Sequence, residues 1–160
     1  MVDKYKIIGP LYDFLNVVYG GNQFHKCKTF MNKDLKEDDK ILFAGVGHGR
    51  DAIDAAERGA QVTVVDLSAT MLKNVEKNLK GKNFKHPIRL VHSDIFEFTE
   101  TAEYDFVVAN FFLNVFPEDF MVKVMQHLAT LVKPEGFFVV GDFHYPKGNV
   151  FTKAFQNIYW

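Results

Sequence analysis

Cysteine is almost absent from this chain. Cys27 stands alone in 160 residues, so no internal disulfide forms and stability must come from packing. Long apolar runs are missing too: none approaches the ~18 residues of a membrane span. Met1 to Lys6 carries charges with no apolar run behind it, so no secretory leader is expected and a cytoplasmic location is the default. Charge of one sign is also lacking. Lys plus Arg is 19 and Asp plus Glu is 20, a net charge of −1 with no long basic block. Capture of nucleic acid or an anionic membrane surface is therefore not expected. The histidines His25, His86, His92 and His127 show no ligand spacing with one another or with Cys27, so no metal is expected. There are no internal repeats or low-complexity tracts. What the chain does have is 48% hydrophobic residues, including 17 Phe, in a length that suits one domain. A chain of this size buries roughly 70% of its unfolded surface.

The stretch from Lys40 to Met71 organises the rest. An apolar strand, Ile41 to Ala44, runs into Gly45-Val46-Gly47-His48-Gly49. A helix follows at about Asp51 to Arg58 and stops at Gly59; a second strand, Val62 to Val65, ends on Asp66. This β-turn-α-β unit with an acid at its second tip is the arrangement of nucleotide-binding sheets. Glycines in the turn let backbone N–H groups approach a ligand at the positive end of the helix. Asp66 would lie beside the loop and accept from a ribose diol. A dinucleotide fingerprint, G-x-G-x-x-G, needs its third glycine where Arg50 stands. That argues against a nicotinamide-dependent oxidoreductase. His48 is read as a loop residue.

Strands and helices alternate along the chain. Residues 1–32 read as a helical cap. Gly9-Pro10 starts a helix with Leu11, Phe14, Leu15 and Val18 on one face, and Asn22 caps a second with Phe24, Cys27 and Phe30 or Met31 inward. After Asp66, Ser68 caps a helix carrying Met71, Leu72, Val75 and Leu79, with Lys73, Glu76, Lys77 and Lys80 on its solvent face. Strands follow at Ile88–Val91 and Tyr104–Ala109. Pro117 opens an amphipathic helix through Val132, the Lys133-Pro134-Glu135-Gly136 turn breaks it, and Phe137–Val140 is the fifth strand. Val150 to Trp160 reads as helical. Alternation of this kind predicts a parallel sheet covered on both faces. Right-handed crossovers would then bring Gly45 to Gly49, Asp66, Asp94, Asn110 and Asp142 to His144 to one rim.

With its third glycine at Gly49, the loop reads G-x-G-x-G and resembles motif I of the class I S-adenosylmethionine-dependent methyltransferases. The resemblance covers roughly Lys40 to Asp142. It implies a Rossmann-like, doubly wound, mostly parallel five-stranded sheet, with residues 40–142 as the cofactor-binding core and 143–160 as a C-terminal segment of a single domain. It implies that Gly45, Gly47 and Gly49 approach the methionine part of S-adenosylmethionine, or of the product S-adenosylhomocysteine. Asp66 would bind the ribose hydroxyls, with Leu67 and Met71 against the adenine. Asp94 would accept from the adenine amino group, Ile95 would offer its backbone N–H, and Asn110 would lie near the methionine amino group and the transferring methyl. Tyr12-Asp13-Phe14-Leu15-Asn16 resembles the Y-D-x-x-N opening of quinone-biosynthesis methyltransferases, whose helices cover the cofactor pocket. The family usually carries an acid two residues before the first glycine. Here that residue is Phe43.

The expected reaction is methyl transfer to a small aromatic or lipophilic acceptor, a quinone precursor for instance. His144 is the candidate base, since an imidazole titrates near neutral pH, and Asp142 is placed to orient it. Asn110-Phe111-Phe112-Leu113 lacks the prolines of the N/D-P-P-Y/F tetrad of nucleic-acid amino-methyltransferases. Phe111, Phe112, Phe116, Phe143 and Tyr145 suggest an apolar wall beside the acceptor. Phe43 supports a second reading, a non-catalytic methyltransferase-like binding domain. Family members usually continue past the fifth strand with a helix and two further strands, so the chain reads as short at its C-terminus. A fragment, pairing through the open edge, and a short natural form all fit. An open sheet edge near Phe151, Phe155, Tyr159 and Trp160 predicts homodimerisation or aggregation.

Overall fold

Period-two alternation in the first strand divides the core into two layers. The computed structural model describes residues 26–142. In it, β1 (Lys40–Ala44) sends Ile41 and Phe43 to one face of the sheet and Leu42 and Ala44 to the other. The first face continues with Val62 and Val64 of β2 (Gln61–Asp66) and Phe106 and Val108 of β4 (Tyr104–Asn110). They pack with Ala52, Ala55 and Ala56 of α1 (Arg50–Glu57) and Val75 of α2 (Ala69–Leu79). Across the sheet, Leu42, Val65, Val107 and Ala109 pack with Val124, Leu128 and Leu131 of α3 (Glu118–Leu131). Strands buried on both faces read as near-continuous apolar runs, which is how β1, β2 and β4 read.

With β3 (Arg89–His92) and β5 (Val132–Gly141) the sheet has five strands in the order β3-β2-β1-β4-β5, every described pair parallel. The expected α/β class and the doubly wound topology hold. The chain runs from β1 outward through β2 to β3, then returns to the other side of β1 for β4. Strand order therefore reverses between β1 and β4, and a crevice opens there at the carboxyl ends.

Local signals set the helix ends. The Ser68 hydroxyl accepts from the Met71 backbone N–H at 3.3 Å and caps α2 as expected. Pro117 precedes α3. The fifth strand differs from expectation: pairing with β4 begins at Val132, directly after α3. Tyr104 opposes Val132 and Phe106 opposes Phe137, so two steps on β4 answer five on β5. The Lys133-Pro134-Glu135-Gly136 turn is thus looped out within a strand, with Glu135 at φ 65°.

Residues 26–29 are helical and run into a 3₁₀ turn, Phe30–Asp34. That tightening changes the inward face. Met31 and Asn32 are buried, whereas Phe30 is 66% exposed and Cys27 is exposed; of the expected inward set Met31 reaches the core, Cys27 does not, and Phe24 lies outside the described residues. The helix at Leu11–Val18, the Tyr12–Asn16 motif, His144 and the C-terminal aromatics lie outside the described residues. No helix among the described residues is long and apolar enough to cross a membrane.

Asp105 fastens three strands at the amino end of the sheet. Its Oδ2 accepts from the Lys40 backbone N–H at 2.9 Å, and the Lys133 ammonium donates to both oxygens at 2.9 and 3.0 Å. Partial burial pushes the Asp105 carboxyl up; the Lys133 ammonium and the Lys40 N–H more than offset this, so it titrates below its ordinary value. A carboxyl lowered by folding contributes stability above its unfolded pKa, about 3.9, and loses it as pH falls through the folded value. Asp105→Asn should therefore be less stable than the wild type by about 1–2 kcal/mol at pH 7. The gap should narrow below about pH 4; urea denaturation at pH 7 and pH 3 measures both, and an unchanged gap at pH 3 contradicts the assignment.

Candidate active site

The loop after β1 is held in shape by the acid after β2. Gly45 takes φ 69° and donates its N–H to the Val65 carbonyl at 2.9 Å. The next N–H, that of Val46, donates to Asp66 Oδ2 at 2.9 Å, and the Ser68 N–H donates to Asp66 Oδ1 at 2.7 Å. One carboxylate thus ties the glycine loop to the start of α2. Gly47 (φ 52°) and Gly49 (φ 70°) also sit in the left-handed region that favours glycine. The three glycines face different surroundings. A Cβ on Gly45 would lie 2.4 Å from Phe112 Cδ2, and one on Gly49 would lie 2.9 Å from Val75 Cγ2. On Gly47 it would meet only the Lys28 ammonium, at 3.8 Å. His48 is exposed, and its carbonyl accepts from Asn78 Nδ2 at 3.2 Å.

Beside this loop is a cleft of about 80 Å³ whose lining includes Asp66, Leu67, Asp94, Ile95, Phe112 and Phe116. Asp66, Leu67, Asp94 and Ile95 come together here as expected. Met71 does not: its side chain packs against the core layer under α1 and α2, away from the cleft lining. Leu67 is 62% exposed at the rim, and its carbonyl accepts from His92 Nε2 at 3.0 Å. Asp94 Oδ1 accepts from the Phe96 N–H at 2.9 Å and so starts the 3₁₀ turn Ile95–Glu97. Phe112 and Phe116 line this cleft, on the Asp66 side, in edge-to-face contact at 5.2 Å. They were expected beside an acceptor. The reason is the backbone: Phe111 adopts φ 53°, with its N–H donating to the Gly141 carbonyl at 2.6 Å, and the chain turns so that the Phe112 ring covers Gly45.

Asn110 marks the other side of the crevice. It is buried, and its Nδ2 donates to the Lys28 carbonyl at 3.1 Å and to Asp51 Oδ2 at 3.2 Å. Gly141 makes room for it, since a Cβ there would lie 2.5 Å from Asn110 Oδ1. Asp51, in the first turn of α1, is 3% exposed, and its Oδ1 is buried with no hydrogen-bond partner among the described residues. The Lys28 ammonium stands 4.0 Å from Asp51 Oδ2 and 6.0 Å from the centre of the Phe111 ring. The Lys28 segment is pinned by Asn32, whose Nδ2 donates to the Asp51 carbonyl at 3.3 Å and to Asp54 Oδ2 at 2.7 Å. Next to Asn110 lies a larger cavity of about 400 Å³, lined mainly by Phe30, Met31, Val139, Val140 and Gly141 with Lys26 and Cys27.

Sequence reasoning missed Asp51 and Lys28. A signal for Asp51 was present: an acid two residues past Gly49, on the side of α1 that carries Ala52 and Ala55. Lys28 had none, because nothing local says that its segment packs over the loop. Expected site residues from Gly45 to Asn110 fall on one rim, Met71 excepted, and His144 is outside the described residues.

The sequence model of a family described as "Methyltransferase domain" matches residues 41–136. A ribosomal protein L11 methyltransferase from Desulfitobacterium hafniense is 27% identical over 113 residues, covering 71% of this chain and 34% of that enzyme. The chain spans a third to a half of the length of the curated relatives it matches first. Among solved structures, a S-adenosylmethionine-dependent methyltransferase from Methanosarcina mazei superposes with a TM-score of 0.70 at 18% identity, covering 78% of this chain and 62% of that one. A 1,6-didemethyltoxoflavin N1-methyltransferase from Burkholderia thailandensis, solved with bound 1,6-didemethyltoxoflavin and S-adenosylhomocysteine, gives 0.62 at 21% identity, covering 88% of this chain and 64% of that one.

The glycines should separate by stability. An alanine at Gly47 meets only backbone strain, about 1–2 kcal/mol. Gly49→Ala adds a clash with Val75 and should cost about 2–4 kcal/mol in all. Urea denaturation of both variants reads the difference, and equal losses contradict the packing role of Gly49.

Proposed function

The chain belongs to the methyltransferase-domain family, and on that premise we propose that it binds S-adenosylmethionine in the β1/β4 crevice and transfers its methyl group to a small aromatic or lipophilic acceptor. The observation that carries this is the glycine loop at the strand-order reversal, clamped by Asp66 and faced by Asp94 and Asn110. A carboxylate has about four acceptor sites, so Asp66 can hold Val46 and Ser68 and still accept from a ribose diol. The second oxygen of Asp94 would accept from the adenine amino group, the Ile95 N–H would serve the ring, and Leu67 with Phe116 would cover its faces. The cleft is smaller than the roughly 300–1,000 Å³ of ligand pockets, and Phe112, packed on Gly45, is among the side chains that line it. Its ring must leave Gly45 for the loop backbone to meet a ligand.

When bound, the cofactor supplies a sulfonium-activated, electrophilic methyl group. The protein's part is then to hold a nucleophile in line at roughly 3 Å and exclude water. The apolar cavity beside Asn110 supports a lipophilic acceptor there. His144, two residues past Asp142, is the proposed base for a phenolic acceptor, with Asp142 orienting it. The L11 relative, by its name, acts on a ribosomal protein, which makes a protein acceptor the reading to exclude. Phe43 in place of the family's acid favours the second reading, a domain that binds without turnover.

Calorimetric titration with S-adenosylmethionine, S-adenosylhomocysteine and NAD tests the cofactor. The first two should bind and NAD should not, with Asp66→Ala weakening both by at least tenfold. A panel of quinols and catechols set beside a ribosomal protein then tests the acceptor. Methylation of the protein alone rejects the small-molecule reading, and cofactor binding with no product in either arm favours the binding domain.

A further inference from the structure

We propose that Asp51 and Lys28 hold the zwitterionic amino-acid end of the cofactor, Asp51 taking the ammonium and Lys28 the carboxylate, in place of the acid that Phe43 displaces. The inference rests on the cofactor reading above. Residue 43 points to the face on which α1 packs; its partners across the sheet are Val64 and Val108, and its side chain is buried among them. Asn110, two residues past Val108, projects to the same face and fixes Asp51 there at 3.2 Å. On this reading the negative charge missing from β1 is supplied from α1, on the same face of the sheet.

Asp51 is poorly served by its own chain. A buried carboxylate oxygen without a donor is costly and rare. Asp51 Oδ1 is such an atom; the Asn32 amide oxygen is the other buried side-chain polar atom in that state among the described residues. The 4.0 Å between Lys28 Nζ and Asp51 Oδ2 is beyond direct hydrogen bonding. Around this pair the loop is open only at Gly47, where a Cβ would meet nothing but the Lys28 ammonium. Anything entering over Gly47 therefore meets a cation first and a carboxylate beneath it. A zwitterion complements that pair, and Lys28 swings aside on its flexible stem to admit it.

The test uses the full chain and ligands that divide the two ends. At the amino-acid end S-adenosylhomocysteine has both charges, decarboxylated S-adenosylmethionine has the ammonium only (its sulfonium is a separate charge), and 5′-methylthioadenosine has neither. Asp51→Asn should weaken S-adenosylhomocysteine at least tenfold and 5′-methylthioadenosine less than twofold. Lys28→Met should weaken S-adenosylhomocysteine at least fivefold and leave decarboxylated S-adenosylmethionine within twofold. If Asp51→Asn binds S-adenosylhomocysteine like the wild type, or loses both ligands in proportion, Asp51 is structural and the proposal fails while the cofactor reading stands. A wild type that binds none of the three fails the cofactor reading itself. Thermal melting without ligand checks folding: Asp51→Asn should melt no lower than the wild type.

Discussion

The Asp66 carboxylate is the constraint on which the site depends. Two parallel strands, β1 and β2, deliver their carboxyl ends side by side, and each is followed by a loop that must turn back into a helix. Each loop exposes backbone N–H groups that no sheet partner can satisfy. Asp66 satisfies one from each, Val46 and Ser68, with its two oxygens. The glycine loop therefore has a fixed shape before any ligand arrives, and α2 starts from a fixed point. The same acid faces the cleft with Leu67 and Asp94. Fold and site share one group here, so any change at Asp66 mixes stability with binding.

Much of this was legible because it is local. Gly45, Gly47 and Gly49 all take positive φ, a conformation that their residue type announces. Ser68 and Pro117 mark helix starts by side-chain chemistry that acts within a turn. The apolar runs Ile41–Ala44 and Val62–Val65 marked the central strands. The Lys133–Gly136 turn was also read correctly as a turn. Its absorption into β5 was not visible, because it depends on β4 offering Tyr104 as a partner to Val132.

What could not be read depends on long-range approach. Phe112 lines the Asp66 cleft because Phe111 takes a left-handed conformation, which nothing in a Phe-Phe pair predicts. The Gly141 carbonyl holds that turn from a strand thirty residues on. Met71 turns into the core because α2 packs Val75 against Gly49, so the inward face of the helix is set by the loop it caps. Lys28 reaches the loop only because Asn32 bonds α1 and Asn110 bonds the Lys28 carbonyl.

Phe43 then takes on a different meaning. An acid on β1 would sit between Val64 and Val108, in the driest layer of the sheet, and would need a ligand or a partner at all times. A phenyl ring in that place gains core burial, worth roughly 1.5–3 kcal/mol for a side chain of its size. An acid on α1 has other support: the first helical turn favours negative charge, Asn110 donates to it, and a lysine is close. On the proposal above, the charge stands one layer out, on the helix that covers the strand. The layer around Phe43 is then apolar, and the buried polar side chains Asp51 and Asn110 stand together at the crevice, where a charged ligand can meet them.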